Sequence, residues 1–351
     1  MTDLLAPEVD RGAPVDERLV CVAVEDVTHD VRSFTFERAD GSAVAFEPGQ
    51  YLTFTVEVDG VEHQRCYTIA SSPAHAHRPT ITVKRTPDGP VSGWLHDRFG
   101  VGDSLTATGP HGRFSSVQHP AEKYLFLSAG SGITPLMSMT RALHGSAGPA
   151  DVVFVHSARS PRDIIFRDEL EVVAGTPGFE VTVVCETADD EWAGATGLLG
   201  LRTLLRVAPD LHEREVFTCG PPAYMTAVRE ALNLAGVDPE RCHEESFDLA
   251  ARGAEHAVAA APSGPTYAVT FGRSGLTVPC GESETLLDAA LRAGLRPPSM
   301  CREGICGTCR TSLVEGQVDL RHAGGIRDRD VEQGEILLCC SRPCGDLVVD
   351  G

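Results

Sequence analysis

Between residues 17 and 116, apolar and polar positions alternate in short runs: LVCVAVEDVT, VRSFTFER, QYLTFTVEV and TITVKR. A period of two marks strands with one buried face, and turn signals such as EPGQ, VDG and TPDG separate them. This spacing predicts an antiparallel barrel or sandwich. The pattern changes near residue 118. KYLFLSAG, DVVFVHSA, FEVTVVCE and REVFTCG are apolar runs, and between them lie LMSMTRALHG, RDELEVVAG, GLRTLLRVA and AYMTAVREALNLAG, which read as helices. Strand–helix alternation predicts an α/β unit with a parallel sheet over 118–247. Neither period holds in DLAARGAEHAVAAAPSGP, residues 248–265, which is rich in Ala, Gly and Pro and reads as an interdomain linker. Residues 266–351 then form a separate module, residues 17–117 the β-rich one, and the first fifteen or so residues a loose tail.

Three units fit a chain of 351 residues, which is long enough for two or three cores. A formal net charge of −20 argues against a nucleic-acid partner, which would want a basic footprint. The most apolar stretch, YLFLSAGSGITPLMSM, is interrupted by Ser, Gly and Pro, so no membrane span is expected. The amino-terminal residues show no basic segment followed by an apolar run, which predicts a cytoplasmic protein with reduced thiols.

That expectation bears directly on the twelve cysteines. In SMCREGICGTCRTS, Cys301, Cys306 and Cys309 follow a C-x4-C-x2-C spacing, and Cys339 comes 29 intervening residues later. Zinc sites use paired C-x2-C units, whereas this order matches a plant-type [2Fe–2S] centre. Gly304 and Gly307 let the backbone wrap tightly and aim N–H groups at the sulfurs. The spacing selects Cys339 over its neighbours Cys340 and Cys344. Cys21, Cys66, Cys185, Cys242 and Cys280 have no ligand spacing, and their default role is structural.

Two turns in the α/β region suggest a nucleotide. Gly130-Ser131-Gly132-Ile133-Thr134-Pro135 follows a strand and opens a helix, with Thr134 expected as N-cap and Pro135 at the first helical position. Its glycines would let a pyrophosphate or nicotinamide approach the backbone. Pro135 stands where a dinucleotide fingerprint has its third glycine. Thr218-Cys219-Gly220-Pro221-Pro222 places a second glycine and a thiol at another strand's carboxyl end.

Taken together, these pieces resemble the ferredoxin–NADP reductase superfamily. Arg65-Cys66-Tyr67-Thr68 resembles its R-x-Y-[ST] signature. G-x-x-S-x-W-L from Gly89 to Leu95, G-P-x-G-x-F from Gly109 to Phe114, the GSGITP turn, CGPP-x-x-M from Cys219 to Met225 and Glu-Ser-Phe at 245–247 follow in order. The carboxyl-terminal module resembles a plant-type ferredoxin of β-grasp fold. The resemblance implies that Arg65 pairs with a flavin pyrophosphate, Tyr67 packs on the isoalloxazine and Thr68 hydrogen-bonds near its reactive nitrogen. It places Cys66, Val83, Lys84, Gly89, Val91 and Ser92 around the same cofactor, with the Ser92 hydroxyl completing the pyrophosphate cradle. Thr134, Cys219 and Glu245 are implied around the nicotinamide, with Gly130, Gly132, Gly220 and Pro221 as backbone and Phe247 covering the flavin. The intact GPHGRF segment implies FAD rather than FMN. Arg159 and Arg162 stand where a 2′-phosphate would be met. NADH is the expected donor, with NADPH the alternative.

The implied function is a reductase carrying electrons from NAD(P)H through FAD and a [2Fe–2S] cluster to a terminal oxygenase of Rieske type. A hybrid-cluster protein or a di-iron oxygenase is the competing acceptor, and a redox-sensing module without turnover is the alternative of another class. A self-contained oxidase or flavohaemoprotein-like enzyme would need a further domain, and no sequence remains to build one. Arg296, Arg302, Arg310, Arg321, Arg327, Arg329 and Arg342 lie near the cluster cysteines in sequence, and they predict a locally positive docking face on an acidic protein.

Overall fold

The computed structural model describes residues 15–87, 89–145, 150–188, 191–245, 247, 265–299, 304, 307, 309–322, 326 and 328–350. Six antiparallel strands form the first unit: β1 (Val15–Thr28), β2 (Val31–Arg38), β3 (Tyr51–Val58), β4 (Val61–Thr68), β5 (Thr80–Lys84) and β6 (Ser104–His111). They run in the order β4-β3-β6-β1-β2-β5, and an Ile69–Ile81 bridge draws the two edges together into a barrel-like sheet. Leu19, Phe34, Phe36, Phe54, Ile69 and Ile81 are buried inside it, as the alternation requires.

Helix α1 (Pro90–Arg98) was not legible in PVSGWLHDR, where Pro and Gly interrupt any amphipathic pattern. It forms because Gly89 starts it in extended geometry and Pro90 occupies the first turn, where a missing N–H costs nothing. Val91 and Leu95, four residues apart, bury their side chains in the barrel core.

The second unit alternates β7 (Lys123–Ala129), α2 (Ile133–His144), β8 (Asp151–Ala158), α3 (Arg167–Ala174), β9 (Phe179–Cys185), β10 (Ala195–Thr196), α4 (Leu201–Val207), β11 (Glu215–Cys219), α5 (Pro222–Ala235) and β12 (Cys242–Glu245). Its sheet is parallel in the order β10-β9-β8-β7-β11-β12, with apolar cores on both faces. The chain moves outward from β7 through β8 to β10, then returns to place β11 on the other side of β7. The crevice between the carboxyl ends of β7 and β11 is therefore the topological switch point, where open α/β sheets bind ligands.

The first two units share one core. Val31 and Phe114 pack with Ile133, Leu136 and Phe217. Ser138 Oγ donates to the Ser71 carbonyl at 2.8 Å, and Arg141 donates to the Ala70 carbonyl while its fork holds Glu169. This dry seam, with its buried hydroxyl bond, fixes the crevice against the barrel.

His156, fully buried in β8, bonds Ser128 Oγ through Nδ1 at 2.8 Å. Burial pushes its pKa down to about 3 from an ordinary 6.5. The unfolded chain therefore takes up a proton at this position below about pH 6.5 that the folded chain refuses. Stability should fall with pH from there toward pH 3, by up to about 1.4 kcal/mol per pH unit. Melting curves from pH 7 to 5 check this, and His156→Gln is expected to remove that part of the slope.

The third unit contains β13 (Thr266–Phe271), β14 (Leu276–Gly281), α6 (Leu286–Arg292), β15 (Arg310–Glu315), β16 (Val318–Leu320), α7 (Asp328–Glu332), β17 (Glu335–Leu337), β18 (Ser341–Pro343) and β19 (Leu347–Val349). Its main sheet has the order β14-β13-β19-β15-β17, with β13 and β19 parallel, and α6 packs into the same core. Thr285 caps α6 by accepting from the Asp288 N–H at 3.2 Å. The expected linker, 248–265, lies outside the described residues except for Pro265. Among the described residues no helix is long and apolar enough to cross a membrane.

Candidate functional site

Arg65, Cys66, Tyr67 and Thr68 occupy the end of β4. Alternation puts Arg65 and Tyr67 on one face. The Arg65 guanidinium is partly withdrawn from water, which pulls its pKa below the ordinary value. It donates to the Gln64 carbonyl at 2.8 Å, and among the described residues no carboxylate pairs with it. A half-buried guanidinium without a carboxylate suits a phosphate. Tyr67 packs on Phe54, with centroids 6.1 Å apart, and burial pushes its phenol up. Cys66 Sγ touches Thr53 Oγ1 at 3.5 Å. The Thr68 hydroxyl is buried, and among the described residues it has no hydrogen-bond partner. Such a group is costly unless something binds it, so β4 fits a flavin.

The remaining flavin candidates are placed less directly. Val83 and Val91 turn their side chains into the barrel core, leaving only backbone to offer, and the Val83 carbonyl already meets His96 Nε2 at 3.0 Å. Ser92 Oγ bonds Thr86 Oγ1 at 2.7 Å and donates to the Gly89 carbonyl at 3.2 Å, so it shapes the turn before α1. A Cβ at Gly89 would collide with Thr86 and Ser92, which is why that tight turn needs glycine. Lys84 Nζ lies 3.2 Å from Asp30, which offsets its charge.

Across the crevice, strand register brings three residues into line: Ser128, Cys219 and Glu245 are neighbours on β7, β11 and β12. Gly132 presses on the strand end so closely that a Cβ there would overlap the Cys219 carbonyl and the Gly220 nitrogen. Gly220 is equally constrained, since its Cβ would meet Tyr224 at 2.8 Å and Ala129 at 3.1 Å. Gly130 has φ +52°, and Pro221 precedes α5 in extended geometry. The two glycine turns therefore abut and floor one crevice, which fits a flat ring laid against backbone. Phe247 packs beside this core.

Thr134 departs from expectation in one respect. Helix α2 begins at Ile133 with Gly132 as its cap, so Thr134 is the second helical residue and Pro135 the third. Its hydroxyl donates back to the Ser131 carbonyl at 3.1 Å. A short 3-10 turn at Gly130–Gly132 leads straight into the helix, which starts two residues earlier than the cap rule suggests.

Burial, with the Glu245 charge beside it, raises the Cys219 thiol well above its ordinary value. Cys219 is a protonated packing group at neutral pH, not a nucleophile. Iodoacetamide at pH 7 is expected to spare Cys219 and to modify the exposed Cys344, as peptide mapping would report. Arg159 and Arg162 are exposed beyond β8.

In the third unit, Cys309 and Cys339 are buried together, and the Cys339 N–H donates to Cys309 Sγ at 3.4 Å. Gly304 and Gly307 have φ +70° and +71°, the left-handed backbone that only glycine adopts freely. A Cβ at Gly304 would meet Cys340 Sγ and the His322 backbone, both at 2.8 Å. A buried cysteine sulfur that accepts a backbone N–H, beside two glycines in left-handed geometry, fits a ligand of an iron–sulfur cluster. Cys301 and Cys306 lie outside the described residues. The expected positive face is diluted: Arg310 pairs with Asp330 and Glu335, and Arg321 with Asp319. Arg302 and Arg327 are outside the described residues.

Comparison with known proteins agrees with this division of labour. Residues 18–116 match the oxidoreductase FAD-binding domain, 126–230 the oxidoreductase NAD-binding domain and 269–344 the 2Fe-2S iron-sulfur cluster binding domain. The chain is 44% identical over 345 residues to the glycine betaine monooxygenase reductase subunit of Pseudomonas aeruginosa, covering 94% of each. It is 43% identical to a stachydrine N-demethylase reductase subunit of Rhizobium meliloti, covering 95% of this chain and 96% of that one. The solved structure of phthalate dioxygenase reductase superposes with a TM-score of 0.59 at 26% identity, covering 95% of this chain and 97% of that one.

Proposed function

This chain belongs to the reductase components of Rieske-type oxygenases, and we propose from that premise that its acceptor is a monooxygenase removing a methyl group from a quaternary ammonium carboxylate. The enzyme passes electrons from NAD(P)H through FAD and a [2Fe–2S] cluster to its oxygenase. A bound FAD would supply hydride acceptance from the nicotinamide and the splitting of its two electrons into the single ones a [2Fe–2S] cluster takes. The chain's own residues supply the geometry. Arg65 and the amino end of α1 hold the pyrophosphate, Tyr67 covers the ring and Thr68 supplies its buried hydroxyl. Gly132 and Gly220 admit the nicotinamide to the backbone, while Thr134, Cys219 and Glu245 line its ring and Phe247 closes the flavin side. Cys301, Cys306, Cys309 and Cys339 ligate the cluster. NADH is the donor we favour, since Arg159 and Arg162 stand in solvent with no ion pair to orient them among the described residues.

The observation that carries the substrate class is the match along nearly the whole chain to two relatives that serve, by name, a glycine betaine monooxygenase and a stachydrine N-demethylase. Both compounds are quaternary ammonium carboxylates. The unit boundaries 17–117, 118–247 and 266–351 are part of this proposal. So is a cytoplasmic location, where four cluster thiols stay reduced before metal loading. The test is reconstitution with a purified Rieske-type glycine betaine monooxygenase component as electron acceptor. NADH consumption should be matched by demethylated product and formaldehyde when a betaine is supplied. Turnover of an aromatic substrate with none on betaines would overturn the substrate class.

A further inference from the structure

At the amino end of β11, the opposite end of that strand from the nicotinamide crevice, three side chains from distant parts of the sequence converge. His119 comes from the segment leading out of the barrel, Glu215 opens β11, and His243 lies in β12 beside Phe217. One donor atom from each lies within 4.8 Å of the others. The imidazoles of His119 and His243 stack with centroids 3.7 Å apart at 24°, and His243 Nε2 lies 2.6 Å from Glu215 Oε1. Glu215 Oε2 faces Arg241 at 3.7 Å, and Arg241 also donates to the Arg214 and Glu213 carbonyls. Phe217 flanks both rings, so the cluster has an apolar wall.

We propose that His119, Glu215 and His243 form a site for a divalent transition ion of the zinc type, which ties the barrel-to-sheet connection to β11 and β12. Two imidazoles and one carboxylate are a donor set that such ions take, with water completing a tetrahedron. Binding replaces the proton between His243 Nε2 and Glu215 Oε1 by the metal; the neutral ring keeps one proton by shifting it to Nδ1, and an imidazolium would release its second to solvent. Bonds of about 2.0–2.1 Å require the donors to settle about 3.3 Å apart. The imidazole stack must therefore open and both rings must swing their nitrogens inward. His119 sits on a connecting segment at partial exposure and can make that motion. Arg241 stays on the second carboxylate oxygen and orients it, as outer-shell partners of metal ligands do. Glu215 lies four residues before Cys219 along β11, so the site is roughly 13 Å from the hydride crevice. A second group, His29, Asp30 and Asp163, is less suited because Lys84 already sits 3.2 Å from Asp30.

The test uses the tag-free full chain loaded with FAD and cluster, dialysed against micromolar Zn2+ with flavin and iron contents checked before and after. The expected result is one zinc per chain beyond the cluster iron, and a melting temperature raised by about 5 °C. His119→Gln and His243→Gln are each expected to weaken binding at least about tenfold, while His75→Gln, at a distant turn, leaves it unchanged. His119 is partly exposed, so H119Q decides the matter even if H243Q fails to fold. Absence of stoichiometric zinc, or H119Q binding as tightly as the unaltered chain, would overturn the proposal.

Discussion

Replacing Cys339 with serine is expected to remove the [2Fe–2S] absorption and to cut electron delivery to the oxygenase by at least about 100-fold. NADH-driven ferricyanide reduction should persist, because the flavin barrel and the nicotinamide crevice share a core that the third unit does not enter. Cys309→Ser should behave alike, since its sulfur receives the Cys339 N–H in the same buried pocket. Cys340→Ser is the discriminating control. Its sulfur sits against Gly304 and near the Leu337 carbonyl at 3.8 Å, one residue off the ligand spacing, and the cluster should survive its loss. Visible spectra and iron content of the purified variants decide it. A cluster lost in C340S and kept in C339S would shift the ligand assignment by one residue.

Gly132→Ala is expected to have the second large effect, at the other end of the relay. The added methyl has nowhere to go, because it would meet the backbone of Cys219 and Gly220 and not a movable side chain. The two turns must part, and the crevice between β7 and β11 opens or tilts. Misplacing a hydride donor by about 1 Å costs on the order of 100-fold, so flavin reduction by NADH should slow by about that much. Bound FAD should remain near one per chain, because the Arg65–Thr68 strand is untouched. Stopped-flow bleaching of the flavin band measures the first, and extraction of the flavin the second. FMN in that extract would contradict the assignment of FAD.

The sequence disclosed most where one local rule governs. Period-two alternation announced β2 and β3, and continuous apolar runs announced β7, β8 and β11. Cysteine spacing announced the 2Fe-2S unit, matched over 269–344, because the proposed ligands fall in one short stretch of sequence and one later position. Helix α1 was hidden because PVSGWLHDR is helical for tertiary reasons: Val91 and Leu95 gain burial in the barrel, while Gly and Pro mask the period. The position of Thr134 was misjudged by two residues because a 3-10 turn precedes α2 and supplies its start. The Ser92 hydroxyl also meets Thr86 and the Gly89 carbonyl, contacts that its motif cannot announce. His119, Glu215 and His243 left no trace in the sequence at all. They lie far apart along the chain, and only the parallel pairing of β11 with β12 brings two of them together.

The central claim is the order of the relay, and anaerobic rapid mixing with NADH tests it most directly. In the full chain with its oxygenase present, absorbance should show the flavin band bleaching first. The cluster should then become reduced, with its one-electron EPR signal appearing, and reoxidise as the oxygenase fills. In Cys339→Ser the flavin should bleach at the same rate and the oxygenase should stay oxidised. An oxygenase reduced equally fast in C339S, or a cluster that stays oxidised throughout turnover, would contradict the account.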